Sequence, residues 1–374
     1  MPSFRGLAVA ADRAAIDAAT TILTAGGNAA DAASAMGLVL SVTLPSRAGL
    51  GGGGACQIYD PATREVRRLD FPARPASPAI DARWRAAVPH MARGFYALHA
   101  RAGKLPWAQI VAPAETLARF GFRVSPLLAA DIKAGGETLG NDRAALSLVL
   151  TRGRQLAVLG DTLTNADLAM TLSRMRARGP GSFYEGAQAK DLADAADAAG
   201  ASVSIDDLRG AVPEWTSPAA ERRGDSVVVK SGRAIGEAAA TAYLAADGEG
   251  RIVVCAVGMN HPFGLGIAAR GHGFVFAPAE PGPLDPLLML AFNETNGDAY
   301  LAAAAAGPRA AAAGDIIDAA SAGGRIDVGA LDPIDADGSP NAILSCRTGL
   351  ANDGKACLMR SWPPQESETI FLER

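Results

Sequence analysis

The apolar positions fall into two textures along the chain. From Asp12 to Val42 they recur at helical spacing, interrupted once at Gly26-Gly27. Asn28 or a neighbour caps the second helix, and Ala30, Ala33, Ala35, Leu38 and Val39 give it small faces suited to close packing. After Pro45 comes the glycine run Gly49-Leu50-Gly51-Gly52-Gly53-Gly54, then a strand start at Cys56, Ile58 and Tyr59, and a turn at Asp60-Pro61. From Ala92 to Leu208 the spacing is again helical, predicting helices around Phe95–Ala102, Trp107–Phe120, Ala166–Arg178 and Ala187–Ala198. Pro213, Pro218 and the charged run Glu221–Asp225 mark an exposed junction, beyond which strands dominate. Ala239–Ala246 and Arg251–Val257 flank the turn Asp247-Gly248-Glu249-Gly250 as a hairpin, followed by short strands at Gly273–Ala277, Met289–Phe292 and Ala299–Ala303. A second hairpin runs from Asp332 through Asp337-Gly338-Ser339-Pro340 to Ser345. Helices on the outer faces of such strands predict an α+β sandwich layered helix, sheet, sheet, helix.

Composition narrows the partners. The chain has 374 residues, 49% of them hydrophobic, enough for one large domain or two tightly joined ones. Its net charge of -4 comes from 35 basic and 39 acidic residues spread throughout, with no basic stripe for phosphates, so nucleic acid is not an expected partner. The apolar stretch Leu7–Ala11 is too short for a signal-peptide core, and no run reaches bilayer-spanning length; a cytoplasmic address and no membrane association are expected. Cys56, Cys255, Cys346 and Cys357 lie far apart with no C-x-x-C pair, which predicts buried, reduced thiols. His90, His99, His261 and His272 lack metal-ligand spacing, so neither a metal nor another cofactor is expected.

Several motifs in order carry a resemblance. Ala25-Gly26-Gly27-Asn28-Ala29-Ala30-Asp31-Ala32-Ala33, the glycine run with Tyr59-Asp60, Val88-Pro89, Gly103-Lys104-Leu105-Pro106-Trp107, Pro113-Ala114, Phe120-Gly121-Phe122, Leu168–Leu172, Phe183-Tyr184-Glu185-Gly186 and Asp206-Asp207-Leu208 follow one another. In these the chain resembles the γ-glutamyltranspeptidases, members of the N-terminal-nucleophile hydrolases. The resemblance implies a four-layer αββα sandwich over residues 1–374. Residues 1–210 would match the family's large subunit, 211–238 a shortened junction, and 239–374 the small subunit.

Chemistry in that family needs a precursor that cuts itself, freeing a threonine whose hydroxyl attacks while its own α-amine acts as base. The matching strand here is Ala239-Ala240-Thr241-Ala242-Tyr243, which puts Ala240 at the nucleophile position and Thr241 one step later. A one-residue slip would turn each side chain to the other face unless a bulge absorbs it. The family's glutamate-binding arginine follows Leu-Asp and one residue; here Leu69-Asp70-Phe71 leads to Pro72, with Arg74 displaced. Asp285, in Pro283-Leu284-Asp285-Pro286, stands where the family has serines, and its charge would repel a glutamyl carboxylate. Ala306-Gly307 replaces the paired glycines of the oxyanion site, whereas Asn260 matches a substrate-contacting position. About thirty residues join Leu208 to Thr241, little room for a processing loop, so an uncleaved single chain is expected.

The leading expectation is therefore an active-site-degenerate member that binds or interacts, as a homo-oligomer or a subunit beside an enzyme. Its ligand would be a small amide or an amino-acid-like molecule. The alternative is an amide hydrolase or γ-glutamyltransferase-like enzyme of altered specificity, with Thr241 as nucleophile, Asn260 orienting it, Gly307 at the oxyanion, and Arg74 and Asp285 shaping the pocket. A third reading places an anionic ligand beneath the glycine run, against simple packing of those glycines.

Overall fold

The computed structural model describes residues 4–77, 85–140, 142–233, 239–279 and 285–306, and beyond them 315, 341–346, 349–350, 357–362 and 367–368. The chain opens with β1 (Gly6–Ala10), α1 (Arg13–Thr24), α2 (Ala29–Thr43) and α3 (Pro45–Ala48), then the hairpin β2 (Gly53–Asp60) and β3 (Glu65–Phe71). A helical stretch follows: α4 (Met91–Ala102), α5 (Trp107–Phe120), α6 (Pro126–Gly140), α7 (Arg143–Ser147), α8 (Ala166–Arg178), α9 (Gly181–Tyr184), α10 (Gly186–Ala198) and α11 (Ile205–Gly210). The short pair β4 (Phe122–Arg123) and β5 (Thr162–Leu163) is set within it. Then come β6 (Glu214–Thr216), β7 (Ala220–Arg223), β8 (Ser226–Ser231), β9 (Ala239–Asp247), β10 (Ile252–Asn260), β11 (Ala268–Ala269), β12 (Phe274–Val275), β13 (Leu287–Asn293), β14 (Ala299–Ala305), β15 (Asn341–Cys346), β16 (Cys357–Trp362) and β17 (Ser367–Glu368).

Two antiparallel sheets stack on each other. The first has the order β17-β1-β9-β10-β2-β3-β6 and the second β16-β15-β14-β13-β8-β7. Residues of β9 and β10 alternate between two cores. Tyr243, Ala245, Val253, Cys255 and Val257 face the helices, whereas Ala240, Ala242, Leu244, Val254 and Ala256 face Leu288, Leu290, Ala302, Ala304 and Leu344 of the second sheet. Burial on both faces explains why these strands read as continuous apolar runs. The outer face of the second sheet is buried as well, through Met289, Leu301, Ala303 and Ile343.

Helix α2 is the central helix. All fifteen of its residues are buried, as an all-round apolar helix requires. Asn28 caps it as expected: its Oδ1 accepts from the Ala30 and Asp31 amides, and the Asp31 carboxylate accepts from the Asn28 amide in return. A methyl at Gly37 would stand 2.4 Å from the Phe95 ring, which explains the small face.

The structure corrects the cysteine expectation. Cys56 and Cys255 face each other across β2 and β10 and form a disulfide, and Cys346 and Cys357 do so across β15 and β16. Spacing in sequence could not show this, because the first pair is separated by 199 residues and becomes adjacent only through sheet register. Residues 211–238, read as an exposed junction, contain β6, β7 and β8. There the chain crosses from the edge of the first sheet to the edge of the second. The strand expected over Gly273–Ala277 shrinks to Phe274–Val275, and Asp332–Pro340 of the second expected hairpin lie outside the described residues.

Candidate functional site

The start of β9 is set by register. Ala240 pairs with Gly258 and Thr241 with Val257, and a bulge between Gly258 and Asn260 brings Asn260 opposite Ala239. Alternation then sends the Ala240 methyl toward the second sheet. Thr241 points the other way, with its partner Val257, into the helix-facing core. Thr241 is 1% exposed, and among the described residues its Oγ1 has no hydrogen-bond partner. The bulge lies in β10 and leaves Thr241 on that face.

The backbone around Thr241 is held by a cation. Arg47 donates from Nε and Nη2 to the two oxygens of Asp131 at 2.8 and 2.9 Å, and from Nη1 to the Ala240 carbonyl at 3.4 Å. Ser46 also donates to Asp131, at 2.7 Å. Asn260 adopts a positive φ of 62° and donates its Nδ2 to the Pro278 carbonyl at 3.0 Å, fixing the return of the chain. Gly307 lies outside the described residues.

The glycine run is filled by backbone. A methyl at Gly51 would come within 2.0 Å of the Val275 carbonyl oxygen, one at Gly52 within 2.2 Å of that of Gly258, and one at Gly53 within 2.2 Å of the Ala73 nitrogen. These glycines are needed for close strand packing, so no ligand space opens beneath them among the described residues. A cleft of about 320 Å³ lies at the other end of β9, lined by Arg5, Asn28, Lys104 and Asp247 among others.

The two expected binding residues are placed apart. Arg74 is half exposed and pairs with exposed Glu214 at 3.7 Å. Asp285, expected to repel a glutamyl carboxylate, has a paired charge: its Oδ1 accepts from Arg68 Nη2 at 2.7 Å and its Oδ2 from Arg233 Nε at 2.9 Å. Arg68 is the buried guanidinium of this region. Its side chain is 6% exposed and it also donates to Asp70 at 2.8 Å, Ser231 Oγ at 3.0 Å and the Pro286 carbonyl at 3.3 Å. Burial pushes the Asp70 carboxyl above its ordinary range, against the pull of Arg68. The sequence does contain a signal for this cluster, because strand alternation puts Arg68 and Asp70 on one face of β3, but nothing local announces the partners from β8 and the Asp285-Pro286 turn.

Comparison with known proteins settles the family. The γ-glutamyltranspeptidase family model matches residues 15–233, more than half of the chain. The chain belongs to that family. The glutathione hydrolase proenzyme of Escherichia coli K12 is 33% identical over 222 residues, which cover 54% of this chain and 38% of that protein. The chain thus matches well under half the length of that relative. The Helicobacter pylori γ-glutamyltranspeptidase structure superposes with a TM-score of 0.55 at 26% identity, over 60% of this chain and 69% of that one. The cephalosporin acylase of Bacillus halodurans superposes over 100% of this chain and 97% of that chain, with a TM-score of 0.80. At 17% identity this last likeness establishes the fold, the N-terminal-nucleophile hydrolase sandwich, and nothing about substrate.

One buried histidine of this family member gives a pH expectation. His90, at the start of α4, donates Nδ1–H to the Pro72 carbonyl at 3.0 Å, and burial pushes its pKa down to about 4. An unfolded chain takes up this proton below its ordinary value of 6.5, the folded chain only near 4, so stability is full above pH 6.5 and falls as pH drops between the two. Unfolding in urea is expected to show a loss of about 2.5 kcal/mol from this residue between pH 7 and 4.5. His90→Gln should flatten that slope. An unchanged slope in the variant would show that other groups cause it.

Proposed function

We propose that this chain is a γ-glutamyltranspeptidase-like protein without γ-glutamyl transfer activity, acting as a binding or interaction module. The observation that carries this reading is the head of β9. The face toward the second sheet presents the Ala240 methyl, and the only nearby hydroxyl in the strand, Thr241, is turned into the opposite core. Arg68, on β3, already spends its donors on Asp70, Ser231, Pro286 and Asp285. A nucleophile and a free carboxylate clamp are thus both wanting. The ligand in this reading is a small amide or amino-acid-like molecule, and the protein works as a homo-oligomer or as a subunit of a larger assembly. Two disulfides favour an oxidising compartment over the cytosolic address expected from sequence.

A specific observation supports a second reading. Arg47 donates to the carbonyl of Ala240, which belongs to the peptide bond that must break to free the Thr241 amine. A cation there would stabilise the oxyanion formed when Thr241 Oγ1 attacks that carbonyl carbon. The acyl bond from the Ala240 carbonyl carbon would shift from the Thr241 nitrogen to Oγ1, freeing the amine, and water would then hydrolyse the resulting ester, leaving a carboxylate on Ala240 and the hydroxyl on Thr241.

Mass spectrometry distinguishes the two, provided the protein is first reduced. Cys56 and Cys255 lie on either side of the scission point, so a cut chain stays covalently joined through their disulfide. A reduced mass of 38.1 kDa with no turnover of a γ-glutamyl anilide is expected. A fragment beginning at Thr241, absent from the Thr241→Ala variant, would establish the second reading.

A further inference from the structure

We propose that Arg68 and Arg233 form a carboxylate-binding clamp whose resident ligand is the chain's own Asp285. Two guanidinium groups take the two oxygens of a single carboxylate: Arg68 Nη2 on Oδ1 at 2.7 Å, and Arg233 Nε on Oδ2 at 2.9 Å, with the Arg233 amide adding a third contact at 3.2 Å. Planar donors converging in this way are how proteins recognise a carboxylate ligand.

The clamp is anchored from both sheets. Arg68 rises from β3, where Asp70 takes its Nε; Ser231 at the end of β8 and the Pro286 carbonyl take Nη1. Ser231 in turn donates to Gln57 of β2, whose Nε2 donates to the Val229 carbonyl at 3.0 Å. Arg68 is therefore held in one geometry by partners other than Asp285. It cannot shed its charge, and at 6% exposure it needs a counter-ion.

Charge and access complete the case. With both arginines cationic and Asp70 and Asp285 ionised the cluster is neutral, and without Asp285 it carries one uncompensated positive charge. The Asp285 side chain is 22% exposed, so its place is reachable from solvent. Asp285→Ala leaves the methyl and removes only the carboxylate, a vacancy of the size and charge of formate. In the intact protein the same contact keeps carboxylate-bearing molecules off Arg68, making Asp285 a specificity-determining residue of the proposed binding site. This consequence rests on the binding reading. The test below reads no turnover and no chain cleavage, so the two fail separately.

Thermal unfolding is followed while sodium formate is exchanged for sodium chloride at constant ionic strength, in the wild-type chain, Asp285→Ala and Arg68→Met/Asp285→Ala. In Asp285→Ala, formate is expected to raise Tm saturably, by roughly 5 °C, as mass action on a native-state site requires. Wild type and the double variant should not distinguish formate from chloride. Equal responses to the two anions in Asp285→Ala, or the same formate response in the double variant, would overturn the clamp. If Asp285→Ala does not fold in chloride, dilution from urea into formate should recover folded protein, and failure to recover it in either salt also overturns the proposal.

Discussion

Replacing Cys56 and Cys255 together by alanine is expected to lower the free energy of unfolding by about 5 kcal/mol, the largest effect of any change considered for this protein. The disulfide closes a loop of 199 residues, and a long loop restricts the unfolded chain most. It also ties β2 from the first half of the chain to β10 from the second, at the middle of the first sheet. The pair Cys346 and Cys357 encloses only 11 residues of separation, and its replacement should cost about 2.5 kcal/mol. Equilibrium unfolding of the two double variants in guanidinium, without reductant, measures the difference. A smaller loss for the long-range pair than for the short-range one would rule out the loop-entropy account.

Arg68→Met follows, with an expected loss of about 3 kcal/mol. Methionine fills much the same apolar volume but leaves Asp70 without its guanidinium and Asp285 held by Arg233 alone, and the lost charge pairing dominates the cost. Partial solvation of both acids, at 28% and 22% side-chain exposure, holds the figure near the lower end for a broken buried pair. Arg74→Ala is the matched control. Its side chain is 51% exposed and its partner Glu214 65%, and such surface pairs contribute little, so a change within about 0.5 kcal/mol is expected. Urea denaturation of both variants gives the comparison. Equal losses would mean that the buried cluster does not carry the energy assigned to it.

The helices were the most legible part of the fold. Trp107–Phe120 and Ala166–Arg178 emerge with the expected bounds, and Ala187–Ala198 begins one residue earlier, at Gly186, because helical periodicity is a local property. The hairpin expected over Ala239–Ala246 and Arg251–Val257 was equally clear and emerges as Ala239–Asp247 and Ile252–Asn260, joined by the turn at Gly248 and Gly250. The glycine run was visible as unusual, but its purpose depended on Val275, Gly258 and Ala73, which approach from distant parts of the chain.

The candidate site was less legible. Ala240 at the head of its strand, and Thr241 beside it, could be read from the motif order alone. Asp285 showed its charge in the sequence, but not the two arginines, Arg68 and Arg233, that hold its two oxygens.

What the sequence determined by itself was the family, the main helices and the long hairpin of β9 and β10, and the absence of a hydroxyl at Ala240, since each rests on residue identity or on spacing along a few turns. What only the tertiary structure decided was which face Thr241 presents, which cysteines pair, and what neutralises Asp285. Those depend on strand register and on contacts between residues up to about two hundred positions apart, where neither periodicity nor spacing carries information.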